Sequence, residues 1–164
     1  MSKAVLVDRD DTLCKDIPYC DDPSRIKPYP GVPEAVARLN EAGYLVLMVT
    51  NQSGIGRGYF TVETLEKVNG SLLSQIAEKG GRIDDIFFCP HRPEDNCDCR
   101  KPKTGMGLQA ISKYDLDPSE CWMVGDKEKD IEFGTALGMR CIKVSEEFTF
   151  SDAVSQILGD TQTE

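Results

Sequence analysis

Five short runs of mainly apolar residues divide the chain, and turn or polar residues follow each run. The runs cover residues 5–7, 44–49, 83–88, 121–124 and 140–144. The first two contain no polar residue, which is typical of strands buried on both faces of a parallel sheet. Apolar residues at helical spacing between the runs predict helices over 33–42, 61–79, 105–114, from near 128 to 138, and 151–158.

Alternating strands and helices favour right-handed parallel crossovers. We therefore predict an α/β fold in three layers, with helices on both faces of a central parallel sheet. The chain has 164 residues, the usual length of one domain, so we expect a single domain over residues 1–164.

Two carboxylates follow the first predicted strand, Asp8 and Asp10. Open parallel sheets bind ligands beyond the carboxyl ends of their strands, so a cation site is expected here. The alternative is a solvated acidic turn. A proline-rich loop over residues 13–30 comes next, and it either covers the site as a flap or is a tolerated surface loop. The candidate flap residues are Asp16, Ile17, Pro18 and Tyr19.

Other predicted strands also end in residues suited to phosphate or metal binding. Residues 50–58 combine a hydroxyl, amides, an arginine and three glycines, which suits close approach to a phosphate. Residues 100–103 supply three cations, which are otherwise solvated. Asp126 and Asp130 follow the fourth strand. Together the carboxylates favour Mg²⁺, and the cations favour a phosphoryl group beside it.

A cluster of metal-ligand residue types lies between the third strand and these cations. Its members are Cys89, His91, Cys97 and Cys99. A Cys-x-His pair and a Cys-x-Cys pair predict a closed, structural zinc site, and the alternative is a redox thiol pair. The remaining cysteines are scattered, and the sequence has no second histidine to activate a catalytic thiol.

The composition excludes some partners. A formal charge of -9 argues against non-specific binding to nucleic acid or anionic membrane. No run approaches the roughly 18 apolar residues of a membrane span, and Met1–Lys3 lead into the first predicted strand without the apolar stretch expected of a signal peptide. We expect a cytoplasmic monomer that acts on a phosphorylated small molecule.

Four motifs in this order resemble the haloacid dehalogenase (HAD) superfamily of phosphohydrolases. They are Asp-x-Asp-x-Thr from Asp8, the Thr50 position, Lys101, and Gly-Asp-x-x-x-Asp from Gly125. More narrowly, Thr-Asn-Gln-Ser-Gly-Ile-x-Arg-Gly and Cys-Pro-His…Cys-x-Cys-Arg-Lys-Pro resemble the D-glycero-D-manno-heptose 1,7-bisphosphate 7-phosphatase and histidinol-phosphate phosphatase families. The resemblance implies a Rossmann-like HAD fold with no large cap domain and a zinc-stabilised loop.

By position, the resemblance implies that Asp8 is the nucleophile and forms an aspartyl-phosphate. Asp10 would protonate the leaving alkoxide and then activate water. Thr50 and Lys101 would hold the transferring phosphoryl oxygens. Lys103 is close enough in sequence to compete with Lys101, but it lies outside the matched Arg-Lys-Pro motif.

The resemblance also implies a metal shell and a set of substrate contacts. Mg²⁺ would be bound by the Asp8 carboxylate, the Asp10 backbone carbonyl and Asp126, with Asp130 orienting the shell. The implied substrate contacts are Asp16, Ile17, Pro18, Tyr19, Asn51, Gln52, Ser53, Arg100 and Lys127.

Two departures from the family pattern bear on these expectations. Asp11 replaces the usual glycine and adds a negative charge beside the metal. The zinc loop between His91 and Cys97 is short, as in histidinol-phosphate enzymes. The expected substrate is heptose 1,7-bisphosphate, with histidinol phosphate as the alternative. A third hypothesis is a non-catalytic, zinc-stabilised phosphate-binding module, but Asp8 and Asp10 would repel the anionic ligand of a mere binder.

Overall fold

One parallel sheet organises residues 1–159, the part of the chain that the computed structural model describes. Its strands are β1 (Ala4–Val7), β2 (Leu45–Asn51), β3 (Asp85–Cys89), β4 (Trp122–Gly125) and β5 (Arg140–Lys143). The order across the sheet is β3-β2-β1-β4-β5. From β1 the chain continues to β2 and β3 on one side of the sheet. It then crosses to the other side of β1, where β4 and β5 follow. Ligands bind at such a reversal of strand order.

Helices cover both faces of the sheet, as the alternating pattern predicts. They are α1 (Val32–Glu41), α2 (Val62–Ala77), α3 (Gly105–Tyr114), α4 (Glu128–Ala136) and α5 (Phe150–Ile157). Short 3₁₀ turns lie at Pro93–Asp95 and Pro118–Glu120. Within the described residues, no helix is both long enough and apolar enough to cross a membrane.

Alternating side chains of β1 build two separate cores, one on each face of the sheet. Val5 and Val7 pack into the core that also contains buried residues of α1, α2 and α5. Ala4 and Leu6 pack into the core with buried residues of α3 and α4. Burial of each such valine or leucine contributes about 1.5–3 kcal/mol. The three-layer α/β prediction is confirmed.

Element boundaries agree with the predictions to within two residues, and β2 continues through Thr50 and Asn51, which the apolar pattern predicts to follow it. Thr61 caps α2, because its Oγ1 accepts a hydrogen bond from the Thr64 N–H at 3.2 Å. The third strand begins at Asp85 and not at Ile83. The reason is Asp84, whose carboxylate accepts from the Val46 N–H at 2.8 Å in place of a backbone carbonyl.

Candidate active site

A cavity of about 290 Å³ lies at the carboxyl ends of the strands, beside the strand reversal. All nine predicted substrate contacts line it: Asp16, Ile17, Pro18, Tyr19, Asn51, Gln52, Ser53, Arg100 and Lys127. Asp8, Asp10, Lys101 and Asp130 also line it, whereas Thr50 and Asp126 do not. Two lining residues were missed by the sequence reasoning, Arg9 and Lys129, and a third, Gly54, lies in the 50–58 segment that was expected to approach a phosphate.

Lys101 joins three elements that are distant in sequence, the end of β1, strand β2 and the first turn of α4. Its Nζ donates to Asp8 Oδ1 and to Asp130 Oδ1, both at 2.8 Å, and to the Val49 carbonyl at 2.9 Å. Burial favours the neutral amine, but the two carboxylates outweigh it and raise the pKa of Lys101. Burial raises the pKa of Asp8 and of Asp130, because removal from water disfavours a charged carboxylate, and the shared Lys101 amine opposes this rise.

The loop that carries Lys101 is fixed by Asn51 at the end of β2. The Asn51 side chain accepts from the Lys101 N–H at 3.0 Å and donates to the Lys101 carbonyl at 3.3 Å. Lys103 points elsewhere, because its Nζ donates to the Cys97 carbonyl at 2.7 Å. Lys101, and not Lys103, therefore reaches the cavity.

Asp10 is held by Arg9, the largest fully buried side chain among the described residues. Arg9 Nε donates to Asp10 Oδ1 at 3.0 Å, and its Nη1 donates to Asn69 Oδ1 on α2 at 2.9 Å. Burial raises the pKa of Asp10, while Arg9 opposes the rise. A raised pKa suits a carboxyl group that gives and takes protons.

The Thr50 hydroxyl is oriented by Gln52. Gln52 Nε2 donates to Thr50 Oγ1 at 2.9 Å and approaches Asp10 Oδ2 at 3.4 Å. Thr50 is almost fully buried. The amide of Gln52 therefore connects the end of β2 to the acidic loop after β1.

Three carboxylates form a group that fits a hard cation. Oxygens of Asp8, Asp126 and Asp130 lie within 4.8 Å of one another. Asp126 Oδ1 is buried and has no hydrogen-bond partner among the described residues, so it is free for a ligand such as Mg²⁺. Asp130 Oδ2 accepts from the Lys127 N–H at 3.1 Å, and this contact fixes the carboxylate at the start of α4.

The four ligand atoms of the Cys/His cluster converge, as a metal site requires. The ligand atoms of Cys89, His91, Cys97 and Cys99 lie within 4.8 Å of one another; Cys89 Sγ is 3.6 Å from Cys97 Sγ and 2.6 Å from Cys99 Sγ, and His91 Nδ1 is 3.2 Å from Cys99 Sγ. Zinc bonds of about 2.0–2.3 Å at tetrahedral angles place ligand atoms roughly 3.3–3.8 Å apart, so the Cys89 and Cys99 sulfur atoms would separate when zinc binds. Although burial opposes it, the Cys99 and Arg100 N–H groups lower the pKa of Cys97 to about 6. This favours the thiolate, which is the form that binds zinc.

The other four cysteines lie outside the Cys/His cluster. Cys14, Cys20 and Cys121 are buried, and Cys141 is partly buried. Burial raises the pKa of Cys14 to about 12. These thiols therefore pack as small apolar side chains.

Asp11, which replaces the family's usual glycine, organises the flap. Its φ of 60° lies in the left-handed region, where glycine is favoured and aspartate is tolerated. Its Oδ1 accepts from the Asp16 N–H at 3.0 Å and from the Tyr29 hydroxyl at 3.4 Å. Its charge thus serves to hold the start of the flap.

The far end of the flap rests on the loop after β2. The rings of Tyr19 and Tyr59 meet edge to face with centroids 4.8 Å apart. Because residues 16–19 line the cavity, the loop borders the site as a flap would.

Comparison with known proteins identifies relatives over most of the chain. The family model described as HAD-hydrolase-like matches residues 98–161. A Thermoplasma volcanium protein named "Probable D-glycero-D-manno-heptose-1,7-bisphosphate 7-phosphatase" is 42% identical over 136 residues, which cover 82% of this chain and 93% of that protein. The histidine biosynthesis bifunctional protein HisB of Legionella pneumophila is 36% identical over 99% of this chain and 47% of its own length.

A solved structure shares the same architecture. It is the D,D-heptose 1,7-bisphosphate phosphatase from B. bronchiseptica, crystallised with magnesium and phosphate. The match has a TM-score of 0.87 and 30% identity, and it covers 98% of this chain and all of that one. The chain therefore belongs to the HAD-like hydrolases, in the family that contains the D-glycero-D-manno-heptose-1,7-bisphosphate 7-phosphatases.

Proposed function

We propose that the protein is a Mg²⁺-dependent phosphomonoesterase that removes the 7-phosphate of D-glycero-D-manno-heptose 1,7-bisphosphate. The observation that carries the proposal is the joining of Asp8 and Asp130 by the Lys101 amine at the cavity floor. The Lys101 ammonium lies between the two carboxylates. A site that binds a metal ion and a phosphoryl group together needs both charges, because carboxylates bind the metal and a cation binds the phosphoryl oxygens.

In the proposed reaction, Asp8 attacks the phosphorus atom and forms an aspartyl-phosphate. The carboxyl group of Asp10, oriented by Arg9, donates a proton to the leaving alkoxide. The resulting Asp10 carboxylate then takes a proton from the water that hydrolyses the intermediate. Thr50 and Lys101 hold the phosphoryl oxygens during both steps.

The proposed Mg²⁺ would be held by the Asp8 and Asp126 carboxylates and the Asp10 backbone carbonyl, with Asp130 orienting the shell. When bound, it would supply positive charge to the phosphoryl oxygens. Asp130 fits the orienting role because its two oxygens are already engaged, one by Lys101 and the other by the Lys127 N–H.

The relatives favour the heptose substrate over the alternatives. The relative with 42% identity and the solved structure with a TM-score of 0.87 are both named for heptose bisphosphate. Histidinol phosphate is the second candidate, supported by the Legionella relative and by the short zinc loop. Several relatives are named as phosphatases, which argues against the hypothesis that the protein is a non-catalytic binding module. The cytoplasmic location and the monomeric state stay predictions.

Steady-state kinetics on the two candidate substrates test the proposal. With Mg²⁺ present, kcat/KM for heptose 1,7-bisphosphate should exceed that for histidinol phosphate by at least about tenfold. A site whose polar groups match one substrate disfavours the transition state of the other by about 1.4 kcal/mol or more. The Asp10→Asn variant, purified in parallel, excludes a contaminating phosphatase. A preference for histidinol phosphate would reverse the assignment.

We further propose that the Cys/His cluster binds one structural zinc ion per chain. Lys101 follows Cys99 by two residues, so the ion would set the direction of the loop that delivers this amine. Zinc removal followed by Mg²⁺ repletion should lower kcat/KM by about tenfold or more. Elemental analysis gives the stoichiometry, and zinc readdition should restore the rate. An undiminished rate in zinc-free protein would show that the ion is dispensable.

A further inference from the structure

Asn69 is a buried polar residue in the middle of α2, and it has no part in the reaction proposed above. Its side chain is only 3% exposed. The other buried positions of α2 carry apolar side chains: Leu65, Val68, Leu72 and Ile76. Because a buried amide costs free energy unless it is hydrogen-bonded, an asparagine at this position needs a compensating contact.

Asn69 makes that contact with Arg9, the residue between the two aspartates of the acidic loop. Asn69 Oδ1 accepts from Arg9 Nη1 at 2.9 Å. The same guanidinium donates to both carboxylate oxygens of Asp10, from Nε to Oδ1 at 3.0 Å and from Nη2 to Oδ2 at 3.3 Å. Within residues 1–159, the Arg9 side chain has no hydrogen bond to any other residue. The guanidinium is therefore fixed at all three of its nitrogens.

These contacts make the direction of the Asp10 carboxyl group depend on α2. A guanidinium is planar and rigid, so it transmits its orientation to a carboxylate that it binds through two nitrogens. Arg9 and Asp10 lie in a loop, whereas Asn69 lies on a helix that packs into the core. Gln52 also approaches Asp10 Oδ2, but at the longer distance of 3.4 Å. Asn69 is thus the point at which a helix holds the Arg9–Asp10 pair.

We propose that Asn69 is a positioning residue for proton transfer to the leaving group, and that it acts through Arg9 on the Asp10 carboxyl group. This inference rests on the phosphatase reaction proposed above, but not on which phosphate ester is the substrate. In that reaction the bond from Asp8 to phosphorus forms as the ester P–O bond breaks, and the Asp10 proton passes to the departing oxygen. A carboxyl group displaced by about 1 Å transfers that proton less well.

Two aryl phosphates that differ in their leaving group test the inference. Phenolate leaves poorly unless it is protonated, whereas p-nitrophenolate leaves readily without a proton. The measured quantity is the ratio of kcat/KM for p-nitrophenyl phosphate to kcat/KM for phenyl phosphate. Hydrolysis of the aspartyl-phosphate does not enter this ratio, because kcat/KM ends at the irreversible departure of the alcohol. Both values come from one preparation, so the ratio is independent of the fraction of folded protein.

In the Asn69→Leu variant, kcat/KM for phenyl phosphate should fall at least about tenfold, because the proton donor is no longer held in place. The value for p-nitrophenyl phosphate should stay within about twofold, so the ratio should rise at least about fivefold. Asn69→Asp retains an acceptor oxygen for Arg9. It should therefore keep the ratio within about twofold of wild type.

Asn40→Leu serves as the matched control. Asn40 lies near the end of α1, and its side chain donates to the Arg82 carbonyl at 3.0 Å and accepts from the Arg82 N–H at 2.8 Å. The control thus removes another contact between a helix asparagine and a loop arginine, at a residue that does not line the cavity. It should leave the ratio unchanged.

Three results would overturn the inference. Equal losses on both esters in Asn69→Leu would reduce Asn69 to a structural role, and no loss on either would make Asp10 independent of it. A ratio in Asn69→Asp as high as in Asn69→Leu would show that the acceptor oxygen is not what holds Arg9. Failure of the proposed substrate is a separate result. If both aryl esters are hydrolysed and heptose 1,7-bisphosphate is not, the substrate assignment fails and the ratios still decide the role of Asn69.

Discussion

Replacement of Asp8 by asparagine is expected to reduce kcat by at least about a thousandfold, because an amide cannot attack phosphorus as a carboxylate does. The fold should be preserved. Lys101 keeps its contacts to Asp130 and to the Val49 carbonyl, so its charge stays paired. Phosphate release and thermal unfolding of the same preparations measure the two effects.

Asp115→Asn is a suitable control for this substitution. Asp115 has a φ of 50°, which asparagine tolerates equally well, and its side chain is 81% exposed. It lies beside Ser2, at the amino end of β1 and away from the cavity. The control should keep the wild-type rate. Turnover by Asp8→Asn within tenfold of wild type would remove Asp8 from the role of nucleophile.

Replacement of Lys101 by methionine is expected to cost about 3–5 kcal/mol of unfolding free energy, in the absence of Mg²⁺. Lys101 is 3% exposed, and its loss would leave Asp8 and Asp130 facing each other without a cation. Activity should fall as well, by about a hundredfold or more, because a donor to the transferring phosphoryl group is removed. Urea unfolding measures the change in stability.

A second substitution separates loss of charge pairing from loss of packing. Asp130→Asn in the Lys101→Met background removes one of the two repelling carboxylates, so it should recover part of the lost unfolding free energy. Asp130→Asn alone should be destabilising, because it removes an ion pair. A Lys101→Met variant within about 1 kcal/mol of wild type would contradict the buried ion-pair network.

The order of the strand ends made much of the site predictable. Asp8 and Lys101 are 93 residues apart, yet both follow apolar strands of one parallel sheet, so their convergence follows from topology. The four-residue Cys/His cluster was equally visible, because its members fall within eleven positions. The spacing of the motifs was therefore enough to predict both the acidic site and the candidate zinc site.

Contacts made by single side chains could not be predicted in the same way. The pairing of Arg9 with Asn69 joins a loop to a helix 60 residues away, and no periodicity marks it. The role of Asp11 depends on a positive φ, which the loop composition did not show. Lys129 belongs to the cavity because α4 begins beside it. These contacts depend on packing between elements, which hydrophobic patterning does not encode.

The central claim is that the protein removes the 7-phosphate, and not the 1-phosphate, of heptose 1,7-bisphosphate. Phosphorus NMR of heptose 1,7-bisphosphate incubated with wild-type protein and Mg²⁺ tests it most directly. The account predicts loss of the 7-phosphate signal, appearance of inorganic phosphate, and a persistent 1-phosphate signal. A spectrum in which the 1-phosphate disappears first, or in which the bisphosphate is unchanged, would contradict it.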